Sequence, residues 1–427
     1  MSPASPETQS PARLVRALKV VVAVRDDEVG VLSWSILDLF CLLAGNYVIR
    51  PLRDEMGVAG GVENLRWMFL GTLAAMLGVG VVFAAATRRW GRPSLPVLYR
   101  FLQANLLVFF LLPRTLPLWA SPVTARAFFV WASVYNLFVV SIVWGAMAER
   151  FRADQARRLF GFLAAGGTLG AIVGSLLTQS LASRIGPANL LLLTIAFLEL
   201  GLFAARRAGR AIEARGEYVP MMESYVTPSR RSPYVIGLAL NVLCFTITSA
   251  CVYLEQARIV GAAFSDPAER TALFARIDLL VNLVGLTFQM LMTGRIIALL
   301  GVGGASAVLP VVTLAGFIAL WTRPSLGVLV TFQVARRAVD YAVARPCREV
   351  LYAATKPGGK IGAKALIDTA VYRAGDALGA WAYGLFAMLP GAFGTAMLIV
   401  PLTAGWAVLN LALGRTRQGE KIVTPEV

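Results

Sequence analysis

Apolar runs of about twenty residues alternate along this chain with short basic breaks, and a run of that length is what a helix needs to cross a hydrocarbon core about 30 Å thick. Such runs are read at 31–50, 66–87, 96–113, 125–148, 159–181 and 187–205, and again at 234–256, 271–292, 303–321, 325–349, 366–388 and 393–413. Inside a bilayer no water is present to satisfy exposed backbone groups, so segments of this length are read as helices. The expected fold class is therefore an all-α integral membrane protein of twelve transmembrane helices. Composition agrees. Of 427 residues 57% are hydrophobic and 15% charged, whereas soluble domains carry about a quarter charged.

The basic residues report topology. With the N-terminus placed in the cytoplasm, 29 Lys and Arg are counted to the inner segments, those from Arg336 to Lys364 included, and 10 to the outer ones, with Arg373 left inside a span. An excess of basic residues marks the cytoplasmic side, so both termini are expected there, in a bacterial cytoplasmic (inner) membrane. The net charge of +16 is then an insertion signal and implies no nucleic-acid partner. The expected organisation is a cytoplasmic segment 1–30 with an interfacial amphipathic stretch at 13–24, a six-helix bundle 31–205, a basic connector 206–233, a second bundle 234–413 and a tail 414–427. Gly166-Gly-Thr-Leu-Gly-Ala171 matches Gly375-Asp-Ala-Leu-Gly-Ala380 at an offset of 209, which points to a six-plus-six duplication. The loop Arg88-Arg-Trp-Gly-Arg92 resembles the loop after the second helix in the major facilitator superfamily, and Gly294-Arg-Ile-Ile-Ala-Leu-Leu-Gly301 is a degraded copy in the equivalent place.

Much chemistry is excluded. The chain has no histidine, which removes imidazole acid–base work and imidazole metal ligation. Cys41, Cys244, Cys251 and Cys347 have no CxxC spacing and read as small buried hydrophobes. No Walker-type glycine loop precedes a Lys-Ser/Thr pair. No enzyme activity, cofactor or metal is expected.

A charge at the centre of a spanning helix costs about 2.5 to 3.5 kcal/mol on insertion scales, so each one needs a partner, an aqueous cavity or a function. Arg336, Arg337, Asp340, Arg345, Arg348 and Glu349 crowd the tenth run, with Arg337, Tyr341, Arg345 and Arg348 on one face. The eleventh run brings Asp368, Tyr372, Arg373 and Asp376, and an ion pair of Arg336 or Arg337 with Asp376 is geometrically reasonable. The first run holds Asp38 and ends in Arg50, Arg53, Asp54 and Glu55, and the seventh ends in Glu255 and Arg258. These ends are pseudo-equivalent, so Arg50 and Glu255 are expected to face each other at an outer gate. Asn136, Asp278 and Asn282 are polar groups within other runs. Two readings of the charges stay open: guanidinium groups lining a cavity for an anion, or charges that only neutralise one another between packed helices.

Several stretches carry a family likeness: Asn46-Tyr-Val-Ile-Arg-Pro-Leu-Arg-Asp-Glu-Met-Gly-Val58, Ser133-Val-Tyr-Asn-Leu-Phe-Val-Val-Ser-Ile-Val-Trp144 and Gln155-Ala-Arg-Arg-Leu-Phe-Gly161 in the first half, Ala344-Arg-Pro-Cys-Arg-Glu-Val-Leu351 and Lys364-Ala-Leu-Ile-Asp-Thr-Ala-Val-Tyr-Arg-Ala-Gly-Asp-Ala-Leu-Gly379 in the second. They resemble the nucleotide transporter family, the ATP/ADP antiporters of plastids and intracellular bacteria, and above all its bacterial relatives. The resemblance implies a major-facilitator-like fold that exchanges nucleotides by alternating access. In the family's first-helix pattern Asn46, Tyr47, Arg50, Arg53 and Asp54 fit, with Arg53 where a lysine is usual.

The expected function is secondary-active transport of an anionic, phosphorylated small molecule such as a nucleotide. Arg53, Asn136, Arg336, Arg337, Tyr341, Arg345 and Arg373 are expected to bind it. Asp38, Asp278, Asp340, Asp368 and Asp376 are expected to compensate charge or couple protons, and Arg50, Asp54, Glu255, Arg258, Arg348 and Glu349 to gate. The expected partners are the lipid bilayer and that solute, with the chain acting as a monomer. Transport of another amphiphilic anion, such as a phospholipid or organic acid, and a non-transporting scaffold or sensor are the alternatives.

Overall fold

The computed structural model describes residues 25, 28–90, 94–115, 121–151, 153–213, 233–353, 364, 366–389 and 391–423. The stretch at 13–24, the connector beyond Glu213, the loop residues 91–93 and the last residues of the tail lie outside the described residues. The helices are α1 (Val29–Ala59), α2 (Leu65–Trp90), α3 (Leu95–Thr115), α4 (Pro122–Arg150), α5 (Ala153–Ile185), α6 (Leu190–Glu213), α7 (Pro233–Ala263), α8 (Pro267–Leu291), α9 (Thr293–Thr322), α10, α11 and α12 (Gly391–Val423). Two are composite. α10 runs through Leu326–Val339, a π-helical turn Asp340–Ala344 and Arg345–Ala353, and α11 through a π-helical turn Ile367–Val371 and Tyr372–Phe386.

Among the described residues eight helices are long and apolar enough to cross a membrane by length and composition alone. Neither α10 nor α11 is one of them, because they carry the charges and the π-turns. Large apolar side chains face outward, with Leu299 83% and Val81 70% exposed, while Asp38, Asp278, Arg336 and Asp376 are buried. An apolar outside around a polar inside is the arrangement lipid demands.

Each helix expected from hydropathy is present, and several outrun their apolar run. α1 continues to Ala59, because Arg50 and Glu55 find partners on α8, and α7 continues to Ala263, where Arg258 pairs with Glu255 of the same helix. The Gly294–Gly301 stretch is helical, and Gly301, at φ 68°, kinks α9 away from it.

The packing repeats with a period of six helices. α1 lies on α5 and α6, and α3 on α6; correspondingly α7 lies on α11 and α12, and α9 on α12. The halves meet where α5 packs on α8 and α2 on α11. The matched glycine segments do the same work in each half. On α5, Gly170 and Gly174 leave no room for a Cβ against the carbonyls of Phe40 and Ala44 of α1, and on α11 Gly379 lies against the backbone of Ile247 of α7. Small residues of this kind let membrane helices approach closely.

The molecule has a near end, where α1 begins and α12 ends, and a far end opposite it. At the near end of the first half, Arg150 donates to Asp38 at 2.7 Å and to Ser35, and the Tyr99 hydroxyl donates to the same carboxylate. This cluster ties α1, α3 and α4 together. Beside it Glu28 receives the Arg25 backbone N–H and the Arg158 guanidinium. Burial pushes the Glu28 carboxyl up, but these bonds outweigh it and hold it below the ordinary carboxylate value.

Candidate functional site

Between the two halves lies a cavity of about 270 Å³ lined by side chains of α1, α2, α4, α7, α10 and α11. It is unusually rich in arginine. Arg50 and Arg53 enter from α1, Arg336, Arg337 and Arg345 from α10, and Arg373 from α11, with the carboxylates Asp54, Asp340 and Asp376 among them. Aromatic rings complete the wall: Phe69 and Phe129 from the first half, and Phe245, Tyr253, Tyr341 and Tyr372 from the second.

The local sequence explains how α10 turns so many polar groups inward. Pro346 has no N–H to give the Ala342 carbonyl and crowds it. The Ala342 carbonyl accepts instead from the Thr293 hydroxyl at 2.7 Å, and the helix widens into the π-turn Asp340–Ala344. Such turns cluster at functional sites. This one places Asp340 and Tyr341 on the cavity wall together with Arg336, Arg337 and Arg345.

The ion pairs follow a definite pattern. Arg53 pairs with Asp54 at 2.6 Å, Arg345 with Asp340 at 3.0 Å and Arg373 with Asp376 at 2.9 Å. Asp278 of α8, just behind the wall, is shared: Arg337 lies 2.7 Å and Arg50 3.6 Å from its oxygens. Arg336 is buried at 4% exposure and makes no ion pair among the described residues. Its guanidinium donates to Ser249 Oγ at 2.8 Å, Thr313 Oγ1 at 3.2 Å and Thr248 Oγ1 at 3.4 Å, beneath the Phe245 ring. Asn46 donates to Asn136 across α1 and α4 at 2.9 Å, and the Gln333 amide donates to Gln256.

The far end is closed. Arg270 of α8 donates to Glu55 of α1 at 2.8 Å, and Tyr253 of α7 donates to Asp54 of α1 at 3.2 Å. Leu65, Met68, Phe129, Leu254, Ala257 and Ala380 form an apolar cluster across the halves there. On the near-end side Arg345, although it lines the cavity, keeps 53% of its side chain exposed.

Of the residues singled out from sequence, Arg50, Arg53, Asp54, Asn136, Arg336, Arg337, Asp340, Tyr341, Arg345, Arg373 and Asp376 all line this one cavity. Others stand elsewhere. Asp38 is held in the cluster with Arg150 and Tyr99, away from the cavity. Asp368 accepts from Tyr352 at 3.2 Å, and Glu349 accepts from Lys364 at 2.6 Å, both toward the near end. Arg348 lies 3.9 Å from Asp340, behind Arg345. The expected facing of Arg50 and Glu255 is not formed: Glu255 pairs with Arg258 of its own helix and receives the Tyr383 hydroxyl, while Arg50 turns to Asp278. The ion pair of Arg336 or Arg337 with Asp376 is not formed either, because Arg373, three residues away, takes that carboxylate. Sequence reasoning also missed Arg150 and Arg270, whose place at helix ends made them look like loop charges. The unmatched acids Asp38 and Glu55 within α1 were the signal for both.

Comparison with family models and with curated proteins finds no match, so the likeness to nucleotide transporters rests on its short sequence segments alone. Solved structures do match. A bacterial homologue of the iron transporter ferroportin in an inward-facing state aligns at TM-score 0.64 and 13% identity, over 91% of this chain and 98% of that one. A bacterial metal transporter aligns at 0.60 and 13%, over 93% and 99%. The nucleoside transporter NupG aligns at 0.55 and 12%, over 91% and 98%. At such identities the likeness is one of fold: an all-α membrane fold of twelve helices packed as two six-helix pseudo-repeats, major-facilitator-like.

Proposed function

We propose that the chain is a secondary-active transporter that carries an anionic, phosphorylated small molecule, with a nucleotide as the type, across a bacterial cytoplasmic membrane by alternating access. Both termini lie in the cytoplasm, so the near end is the cytoplasmic one, and the residues 31–205 and 234–413 form the two moving bundles. The observation that carries this reading is the convergence of six arginines on one cavity between two pseudo-symmetric halves, closed at one end. Guanidinium forks pair bidentately with phosphate and carboxylate oxygens. The six aromatic rings beside them offer faces on which a base can stack.

Neighbours in fold include a homologue of an iron transporter, a metal transporter and a nucleoside transporter. A lining with this arginine excess repels a free metal cation, which argues against a metal as the solute. Mutual pairing of the charges alone would suit a scaffold, but these charges face open volume, which packing does not require. Midplane sites between pseudo-repeats are where such folds bind their solutes.

Uptake of labelled nucleotide into proteoliposomes, with and without nucleotide inside, tests the proposal. Counter-substrate inside should raise uptake, and Arg337→Ala should abolish it. No uptake of any anion, together with full tolerance of Arg337→Ala in cells, would overturn the transport reading.

A further inference from the structure

We infer that the solute is a dianion, of the charge of a phosphate monoester, and that diphosphates and triphosphates are excluded by the charge balance of the cavity. This rests on the proposed anion transport through the cavity, and adds how many charges that anion carries. Arg53, Arg345 and Arg373 are each neutralised by their own aspartate. Arg50 and Arg337 share the single charge of Asp278, and Arg336 makes no ion pair among the described residues: it donates to hydroxyls and a carbonyl beneath a ring, and the Asp340 charge that it also feels is held by Arg345. Two guanidinium charges are therefore left over. Arg348, set back from the wall, does not change the count, since Asp368 also feels its charge and Lys364 is answered by Glu349.

Uncompensated charge is costly at this depth, so the bound state is best balanced when the solute supplies two negative charges. A third or fourth would find no free cation among the described lining residues and would stand beside Asp54, Asp340 and Asp376. The geometry also says which guanidinium groups the solute meets. Arg337 holds Asp278 at 2.7 Å, whereas Arg50 stands off at 3.6 Å, so Arg50 is the one an incoming oxygen recruits. A dianion held between Arg336 of the second half and Arg50 of the first bridges the two bundles. The volume agrees: about 270 Å³ falls below the roughly 300 to 1,000 Å³ of pockets for drug-sized ligands.

The test is a charge series on the purified full-length protein in proteoliposomes at pH 7.5, read as competition against the best-transported labelled anion. The competitors are AMP, ADP, ATP, glycerol 3-phosphate, a phosphodiester monoanion and succinate. The expected result is that AMP or glycerol 3-phosphate competes at least about tenfold better than ADP, ATP and the diester. Asp278→Asn frees a third guanidinium and should move the preference about tenfold toward ADP. If that variant does not fold, the wild-type series alone decides. ADP or ATP competing best, or the diester competing equally with the monoester, overturns the inference while leaving anion transport standing. Succinate alone competing sustains the charge count and overturns the phosphorylated solute. Failure of every anion in the series overturns the proposed function and this inference with it.

Discussion

Arg336 and Arg150 are both buried guanidinium groups, yet they respond to opposite needs. Arg150 neutralises Asp38 at 2.7 Å, in a cluster that Tyr99 completes. Removing one partner of such a pair strands the other charge and costs about 3 to 5 kcal/mol. Asp38→Asn should therefore lower the thermal midpoint sharply in detergent; a midpoint unchanged to within about a degree would remove the structural role given to Asp38. Arg336 has no carboxylate to strand. The hydroxyls around it already donate to their own helices, Thr313 to Leu309, Thr248 to Cys244 and Ser249 to Phe245, so Arg336→Met leaves no orphaned donor. That variant should keep or raise the thermal midpoint while solute affinity falls about tenfold or more. Parallel midpoints and inhibition constants check it, and a variant with a lowered midpoint but unchanged affinity would reverse the assignment.

At the scale of elements, two glycine pairs decide how α1 meets α5 and how α7 meets α11. A Cβ at Gly170 has no room against the Phe40 carbonyl, whereas nothing lies within 4 Å of one at Gly161 on the same helix. Gly170→Ala should push α5 off α1 and cost about 1 to 3 kcal/mol. Gly161→Ala should be neutral or gain about 0.5 to 1 kcal/mol from helix propensity. Thermal unfolding followed by size exclusion separates the two, and equal behaviour would mean that the close approach is not needed. The glycine spacing, and its recurrence at an offset of 209, were readable from sequence because they are periodic along one helix. The π-turn of α10 was not. It depends on Thr293, at the start of α9, capping the carbonyl that Pro346 leaves free.

For the whole molecule, under the proposed function, the closed far end and the half-exposed Arg345 would be one station of a transport cycle. Val58 of α1 and Gly261 of α7 meet at that closed end, where a Cβ on Gly261 would stand 3.0 Å from Val58 Cγ1. A Val58→Cys/Gly261→Cys pair, with the four native cysteines replaced, is close enough for a disulfide once small adjustments bring the Cβ atoms to about 3.8 Å. Oxidation should stop uptake and reduction should restore it. Uptake that continues in the oxidised protein would mean that the far end never opens.

By itself the sequence determined the membrane class, the number of helices, the duplication and the small set of charges that defy the hydropathy, because each of these is written locally as run length, periodicity or composition. It did not determine the partners of those charges. Asp38 finds Arg150 from α4, Asp278 finds Arg50 from α1 and Arg337 from α10, and Glu55 finds Arg270 from α8. Even the basic residues counted as topology include Arg336 and Arg337, which stand in the cavity wall. Ion pairing acts over a few ångströms between groups far apart in the chain, so only the tertiary structure decided which arginines have a carboxylate of their own, which share one and which makes no ion pair among the described residues.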